Sequence, residues 1–240
     1  MLKKLFFSTL GIIFLLLSIA FYRTLSHTAP PNEIIASEVI LIDEIKASQN
    51  LAASIRFKTI SYQDEEMFPY EEFNKFIKWA AITYPEFHRV MEVEQLEHSL
   101  LFKWQGSDTT LAPILFEGHH DVVPIIPGTE NLWQENPFAG VISNNRIWGR
   151  GALDDKSGVI GLMEAATYLI KSNFKPKRTI YFSFGHDEEV GGGGAALITE
   201  KLREDGVQLL WSLGEGSFVN KGFFPGINKF IAPINVAEKG

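Results

Sequence analysis

The chain contains no cysteine and no surplus of basic residues, and both absences narrow its function. Without cysteine there is no disulfide framework and no thiolate metal site, so any bound metal must rely on histidine and carboxylates. The formal net charge of −7 disfavours a nucleic-acid surface, because phosphate binding requires clustered Lys and Arg. We therefore expect no nucleic-acid partner. Internal repeats and low-complexity segments are also absent, and 240 residues with 45% hydrophobic content suffice for one good-sized core, or one domain with an appendage.

An apolar run occupies the N-terminus. Lys3 and Lys4 precede residues 5–22, which are almost uniformly apolar and near the lower limit of length for spanning a bilayer. The two lysines favour a cytoplasmic N-terminus, so the chain after Arg23 is expected on the far side. This pattern predicts an export signal.

Whether that signal is cleaved is decided by the residues at its end. The small residues Ser18 and Ala20 form an acceptable cleavage site, whereas Phe21 and Tyr22 are typical of an interfacial aromatic belt. We expect an uncleaved anchor, with the protein membrane-bound and facing the extracytoplasmic side. The alternative is secretion after signal cleavage.

Candidate metal ligands recur after apolar runs and tight glycine turns. An open α/β sheet presents ligands in this way, beyond the carboxyl ends of its strands. Taken singly, each group has a simpler explanation as a helix cap or a solvated first turn. Taken together, the carboxylates would repel one another unless a cation were present. The groups are His119 with Asp121, then Asp154, then Glu188 with Glu189, then Glu215.

Hydrophobic periodicity predicts alternating strands and helices after the anchor and a short polar link at residues 27–32. A hairpin turn is predicted at Asn144 and Asn145, because asparagine tolerates positive φ. The predicted helices cover residues 33–55 and 71–84, the latter closed by Pro85, a face running from Val159 to Ile170, and a segment opened by residues 191–194. The predicted strands cover residues 113–116, 179–184 and 207–213.

From about Phe57 to Gly240 the chain resembles the M20 family of zinc peptidases. The residues of its motifs are most similar to those of the branch that holds carboxypeptidase S and the N-acyl amino acid hydrolase/synthase. The order and spacing of several blocks carry the resemblance. These blocks are His119-x-Asp121, Trp133 with Pro137-Phe138-x-Gly140, Gly149-Arg150-Gly151-x-Leu153-Asp154-Asp155-Lys156, Gly185-His186-Asp187-Glu188-Glu189 and Ala237-Glu238-Lys239-Gly240.

The resemblance implies an α/β fold, namely a three-layer α/β/α zinc-peptidase catalytic domain preceded by an N-terminal hydrophobic helix. The implied organisation is a signal anchor or signal peptide at residues 1–26, a polar link and leading helix at 27–50, and the N-terminal part of the catalytic domain at 51–240. The family's lid or dimerisation domain and its last histidine ligand have no counterpart here, since no histidine follows His186. We therefore expect a fragment or a truncated product that is inactive alone, with a homodimer only where the lid is present.

The resemblance also implies a ligand set for two Zn²⁺ ions per complete catalytic unit. His119 and Glu215 would bind one ion, Glu189 would bind the other, and Asp154 would bridge both. The bridging role needs a carboxylate, which offers two oxygens to two cations.

Two further residues have implied catalytic roles. Asp121 would hydrogen-bond the imidazole of His119 and fix its tautomer. Glu188 would be the general base that takes a proton from a metal-bound water. We treat His120, Asp155 and His186 as supporting or structural residues.

The implied function is zinc-dependent hydrolysis of an amide bond next to a free C-terminal amino acid. The substrate would be a small peptide or an N-acyl amino acid. One alternative is an aminoacylase or deacetylase of the same fold. The other is a truncated, non-catalytic metal-binding remnant.

Overall fold

The computed structural model describes residues 2–26, 42–216, 219–223 and 226–232. The chain divides into two compact units, residues 1–41 and residues 42–240. The predicted polar link at 27–32 and the Ala237–Gly240 block lie outside the described residues, as does the stretch 33–41 of the predicted leading helix.

In the first unit, α1 covers Leu2–Ser26. Within it, Phe6–Ser26 is a stretch of 21 residues with a mean hydropathy of 1.8. Its large apolar side chains, among them Phe14 and Leu17, are exposed within the unit. By length and composition this helix could cross a membrane, and a signal sequence has the same character.

The second unit begins with α2, Glu44–Ile55. The side chain of Asp43 accepts a hydrogen bond of 2.9 Å from the backbone N–H of Lys46, and so caps the first turn. Ile42 and Asp43 are not helical. The prediction of one continuous helix from Glu33 was therefore wrong at this point, because the cap ends the helix on its N-terminal side.

A five-stranded mixed sheet forms the centre of the second unit, in the order β1-β2-β6-β3-β7. Strand β3 runs parallel to β6 on one side and to β7 on the other. Strand β2 runs antiparallel to both of its neighbours, β1 and β6. Among the described residues of this unit, the other elements are two short hairpins, β4–β5 and β8–β9, five α-helices and three 3₁₀ turns. The bounds are β1 Glu92–Leu96, β2 Ser99–Trp104, β3 Ile114–His119, β4 Val141–Ser143, β5 Arg146–Trp148, β6 Ile180–Gly185, β7 Trp211–Leu213, β8 Asn220–Lys221, β9 Phe230–Ile231, α3 Tyr70–Thr83, α4 Pro85–Val90, α5 Lys156–Lys171 and α6 Gly193–Glu204.

Helices cover both faces of the sheet, as the family resemblance implies for a three-layer α/β/α domain. On one face α3, α4 and α5 bury a large apolar cluster that includes Phe76, Phe87 and Met163. On the other face α6 packs Ile198 and Leu202 onto the sheet. Because β6 is covered on both faces, its residues are almost all buried, as predicted for the apolar run at 179–184.

Several local predictions are confirmed and two are adjusted. Asn144 and Asn145 have φ of 51° and 57°, so they form the predicted turn between β4 and β5. Pro85 follows the end of α3 and also starts α4, since proline fits the first turn of a helix. Strand β7 covers only Trp211–Leu213. The apolar residues before it, Val207 and Leu209, pack against the α6 cluster instead.

We predict that Phe102→Ala lowers the free energy of unfolding by about 3–5 kcal/mol, the usual cost of removing a buried aromatic ring. Phe102 is fully buried on β2, and its ring centroid lies 4.8 Å from that of Phe87 and 5.8 Å from that of Phe184. Urea unfolding followed by circular dichroism measures the change.

The matched control is Val93→Ala. Val93 is the cross-strand partner of Phe102 on β1, and it is exposed. Its loss should cost no more than about 1 kcal/mol. Equal effects of the two substitutions would show that the buried ring of Phe102 stabilises the fold no more than an exposed side chain on the neighbouring strand does.

Candidate metal centre

Three parallel strands deliver the candidate ligands to one edge of the sheet. His119 is the last residue of β3 and pairs in register with Gly185, the last residue of β6. Glu188 follows β6 by three residues, and Glu215 follows β7 by two. The carboxyl ends of parallel strands meet at one edge, so residues distant in sequence become neighbours.

His119 lies at the centre of the cluster. Its Nε2 atom lies 3.0 Å from Oδ1 of Asp154 and 3.1 Å from Oε1 of Glu215. One ligand atom from each of the three residues lies within 4.8 Å of the other two. The imidazole is buried, but the side chains of Asp154 and Glu215 are 62% and 45% exposed. The cluster is therefore fixed on the protein side and accessible from solvent.

Asp121 connects the histidine to the turn that carries the glutamates. Its Oδ1 atom accepts a hydrogen bond of 3.1 Å from Nδ1 of His119. The same carboxylate accepts 3.2 Å hydrogen bonds from the backbone N–H groups of Glu188 and Glu189. Asp121 is fully buried. Because Nδ1–H is directed at Asp121, Nε2 faces the cluster, and loss of the Nε2 proton gives the form in which histidine binds a metal.

Glu188 and Glu189 begin a single 3₁₀ turn after β6, Glu188–Val190. Oε2 of Glu188 lies 3.8 Å from Nε2 of His119, and its side chain is 53% exposed. Within the described part of the chain, the cluster of converging ligand atoms comprises His119, Asp154 and Glu215 but not Glu189. Burial raises the pKa of Glu189, and the charge of Asp154 raises it further. Glu189 therefore lies beside the cluster.

The cluster carries an excess of negative charge. Burial by itself lowers the pKa of His119, but the hydrogen bond to Asp121 and the charges of Asp121, Glu215 and Asp155 raise it to about 10. The pKa of Glu215 is raised by burial and by the charge of Asp154. These shifts mean that the site attracts positive charge, so its histidine and carboxylate donors fit a divalent cation.

Asp155 and Lys156 hydrogen-bond to backbone groups next to the cluster. Asp155 caps α5 by accepting from the backbone N–H of Gly158, and its other oxygen accepts a 3.3 Å hydrogen bond from the backbone N–H of His119. The Lys156 ammonium is buried and donates to the carbonyls of Ser54 and Phe57 at 3.0 and 2.7 Å. The bond from His119 to Asp155 was not predicted; the N-cap position of Asp155 before the helix was its only sequence signal.

The other two histidines named in the sequence analysis lie away from the cluster. His120 is fully buried and stacks on Phe76 with ring centroids 4.9 Å apart. Burial is the main reason that its pKa falls to about 3. His186 is buried beside Ser99 of β2, with 2.7 Å between Nδ1 and the serine hydroxyl.

A mixed sheet with helices on both faces, and a histidine–carboxylate cluster beyond its parallel strand ends, is the arrangement of an α/β metallopeptidase or amidohydrolase domain. The sequence pattern of the peptidase family M20/M25/M40 matches residues 115–229, which include every residue of the cluster. The chain belongs to this family, whose metallopeptidases depend on metal ions.

Curated relatives and a solved structure agree with this assignment. The chain is 38% identical over 210 residues to a carboxypeptidase S-like protein of Dictyostelium discoideum, across 83% of this chain and 39% of the relative. It is 38% identical over 201 residues to the N-fatty-acyl-amino acid synthase/hydrolase PM20D1 of Mus musculus, across 82% of this chain and 39% of the relative. It thus spans about two fifths of the length of these relatives.

The fold comparison gives the same result. Human carnosine dipeptidase 1 superposes with a TM-score of 0.60 at 21% sequence identity, over 74% of this chain and 40% of that protein. At this level of identity the likeness supports the fold.

We predict that Asp121→Ala lowers the affinity of the site for Zn²⁺ about 10–100-fold, the usual effect of removing the partner of a ligating histidine. The substitution frees the imidazole of His119 and leaves the amides of Glu188 and Glu189 without an acceptor. Titration calorimetry with Zn²⁺ measures the change.

Asp108→Ala provides the control. Asp108 is a partly exposed aspartate whose carboxylate accepts from Thr110, away from the cluster. Its variant should bind Zn²⁺ as the wild type does. An unchanged affinity in the Asp121 variant would mean that the orientation of His119 does not depend on this carboxylate.

Proposed function

We propose that the protein is a zinc-dependent amidohydrolase that cleaves the amide bond next to a free C-terminal amino acid. The observation that carries this proposal is the convergence of His119, Asp154 and Glu215, with the carboxylate of Glu188 3.8 Å from Nε2 of His119. The substrate class follows from the relatives, which are named for carboxypeptidase S and for the hydrolysis of N-fatty-acyl amino acids. The substrate is a small peptide or an N-acyl amino acid.

The ligand assignment uses two ions in the complete catalytic unit. His119 and Glu215 would hold the first ion, Glu189 would contribute to the second, and Asp154 would serve both. Two observations support a shared carboxylate. Asp154 lies 3.0 Å from Nε2 of His119. Its charge also raises the pKa of Glu189, after burial the largest cause of that shift.

Proton transfer in the proposed reaction is the task of Glu188. Glu188 accepts a proton from the attacking water and returns it to the nitrogen of the leaving amine, which restores the carboxylate. When bound, the ions polarise the amide carbonyl and lower the pKa of water. Asp121 holds the imidazole of His119 and the backbone of Glu188 in a fixed relation. The exposed side of Glu188 leaves room for the substrate.

We also propose that α1 holds the protein at a membrane, with the catalytic domain on the extracytoplasmic side. The support is the apolar stretch Phe6–Ser26, which follows Lys3 and Lys4. A cytoplasmic N-terminus fits the preference for positive charge on that side of the membrane.

We predict that Glu188→Gln in the full-length protein lowers turnover of N-acyl amino acids and Gly-X dipeptides about 10²–10⁴-fold, because the amide keeps the shape of the carboxylate but accepts no proton. Metal content, measured by elemental analysis, should stay unchanged. Glu204→Gln, at the exposed end of α6, serves as the matched control and should retain full turnover. Activity of the Glu188 variant within about tenfold of the wild type would overturn its role as base.

We further predict that Asp154→Ala releases both ions together, because one carboxylate serves both and two uncompensated cations at short range repel each other. Elemental analysis after dialysis gives the number of ions retained. One ion fully retained in this variant would exclude a shared carboxylate. One ion in the wild type without any turnover would favour the metal-binding remnant over the enzyme.

A further inference from the structure

The turn that carries Glu188 and Glu189 is attached to the rest of the domain on two sides. On one side, the backbone N–H groups of both glutamates donate to Asp121. On the other side, His186 precedes the turn, and its Nδ1 atom lies 2.7 Å from the hydroxyl of Ser99, the first residue of β2. Ser99 is fully buried and His186 is 4% exposed, so water does not compete for this hydrogen bond.

A carboxylate lies on each side of the His186 ring: Oδ1 of Asp187 is 3.9 Å from Nδ1, and Glu97 is on the Nε2 side. Glu97 lies in the turn between β1 and β2 with a φ of 54°, in the left-handed region, and its Oε2 atom lies 3.7 Å from Nε2 of His186. We assign the proton to Nε2, on the Glu97 side, because the Ser99 hydroxyl lies 2.7 Å from Nδ1 and can donate to it. Nδ1 is then the acceptor of the Ser99 hydroxyl.

Packing around the ring leaves His186 in one place. Its ring centroid lies 6.1 Å from that of Phe68 and 6.2 Å from that of Phe73, both in edge contacts. A Cβ atom added to Gly194 would lie 2.6 Å from Nδ1, so the first turn of α6 closes against the imidazole. Asp187 fixes that helix start by accepting a 2.8 Å hydrogen bond from the backbone N–H of Gly194.

We propose that His186 is a positioning residue: through its hydrogen bond to Ser99, it holds the Glu188–Glu189 turn against Asp121 and therefore holds the proposed base beside His119. Both of its ring nitrogens face protein partners, Ser99 and Glu97, on the sheet side of the turn. In this proposal His186 contacts neither the substrate nor the metal. This inference rests on the proposed hydrolase function for its kinetic consequence, but its structural consequence can be tested without turnover.

Two substitutions separate the hydrogen bond from the bulk of the ring. In His186→Asn the amide oxygen occupies the place of Nδ1 and can accept from Ser99, whereas in His186→Gln the amide reaches the place of Nε2 and cannot. His98→Asn is the matched control. The ring of His98 packs against that of His186 with centroids 5.7 Å apart, but it lies outside the Ser99 hydrogen bond.

The first measurement is amide hydrogen exchange on the folded protein. We expect the amides of Glu188 and Glu189 to exchange about tenfold faster in His186→Gln and in Ser99→Ala, since the turn is released from one of its two attachments. His186→Asn and His98→Asn should match the wild type. Amides within α5 should be unchanged in all variants, which excludes global unfolding as the cause.

The second measurement is the kinetics of the full-length enzyme. In His186→Gln, kcat should fall up to about 100-fold with little change in KM, because a displaced base affects the reacting geometry and not substrate binding. His186→Asn should restore kcat. Unchanged exchange at Glu188 and Glu189 in His186→Gln, or equal losses in the Asn and Gln variants, would overturn the proposal. A wild type without amidase activity would instead overturn the proposed function, and hydrogen exchange would still decide the role of His186.

Discussion

The carboxylate of Asp121 is the interaction on which the site depends. It is fully buried and accepts hydrogen bonds from Nδ1 of His119 and from the backbone N–H groups of Glu188 and Glu189. The hydrogen bond with His119 holds the pKa of Asp121 below its usual range, although burial acts in the opposite direction. One ionised group thus fixes the ligand at the end of β3 and the turn at the end of β6. Without it, a buried imidazole and two amides would lose their partner, at a cost of about 1–3 kcal/mol for each group left unsatisfied.

Close approach of α5 to the end of β3 is the second requirement. Gly118 permits it, because a Cβ atom at this position would lie 2.9 Å from Oδ2 of Asp155. Asp155 can therefore cap α5 and accept from the backbone of His119 at the same time. The preceding residue, Asp154, then projects towards Nε2 of His119. The sequence Gly118-His119 thus has a packing role as well as a chemical one.

The distribution of charge explains why the site suits a cation. Acidic side chains from the ends of β3, β6 and β7 and from the start of α5 converge on one imidazole. Against the effect of burial, the hydrogen bond to Asp121 and the charges of Asp121, Glu215 and Asp155 raise the pKa of His119 to about 10. In a folded protein such a concentration of carboxylates is costly unless positive charge offsets it. The acidity of the site and its proposed two-metal chemistry therefore have the same physical origin.

Some of these features follow from sequence alone. The strand at 180–185, the asparagine turn between β4 and β5 and the helix after Asp155 are set by local periodicity and turn chemistry, which short segments encode. The spacing of the acids after apolar runs also predicted which strand ends carry them. The roles of the individual ligands remain predictions from family resemblance.

Other features were decided by tertiary structure. The order β6-β3-β7 places Glu215 beside His119 and leaves Glu189 at the side of the cluster, and no local pattern encodes that order. The hydrogen bond from His119 to Asp155 and the contact of His186 with Ser99 join residues 36 and 87 positions apart. Such contacts depend on how helices and strands pack, whereas the sequence determines only which groups each segment can offer.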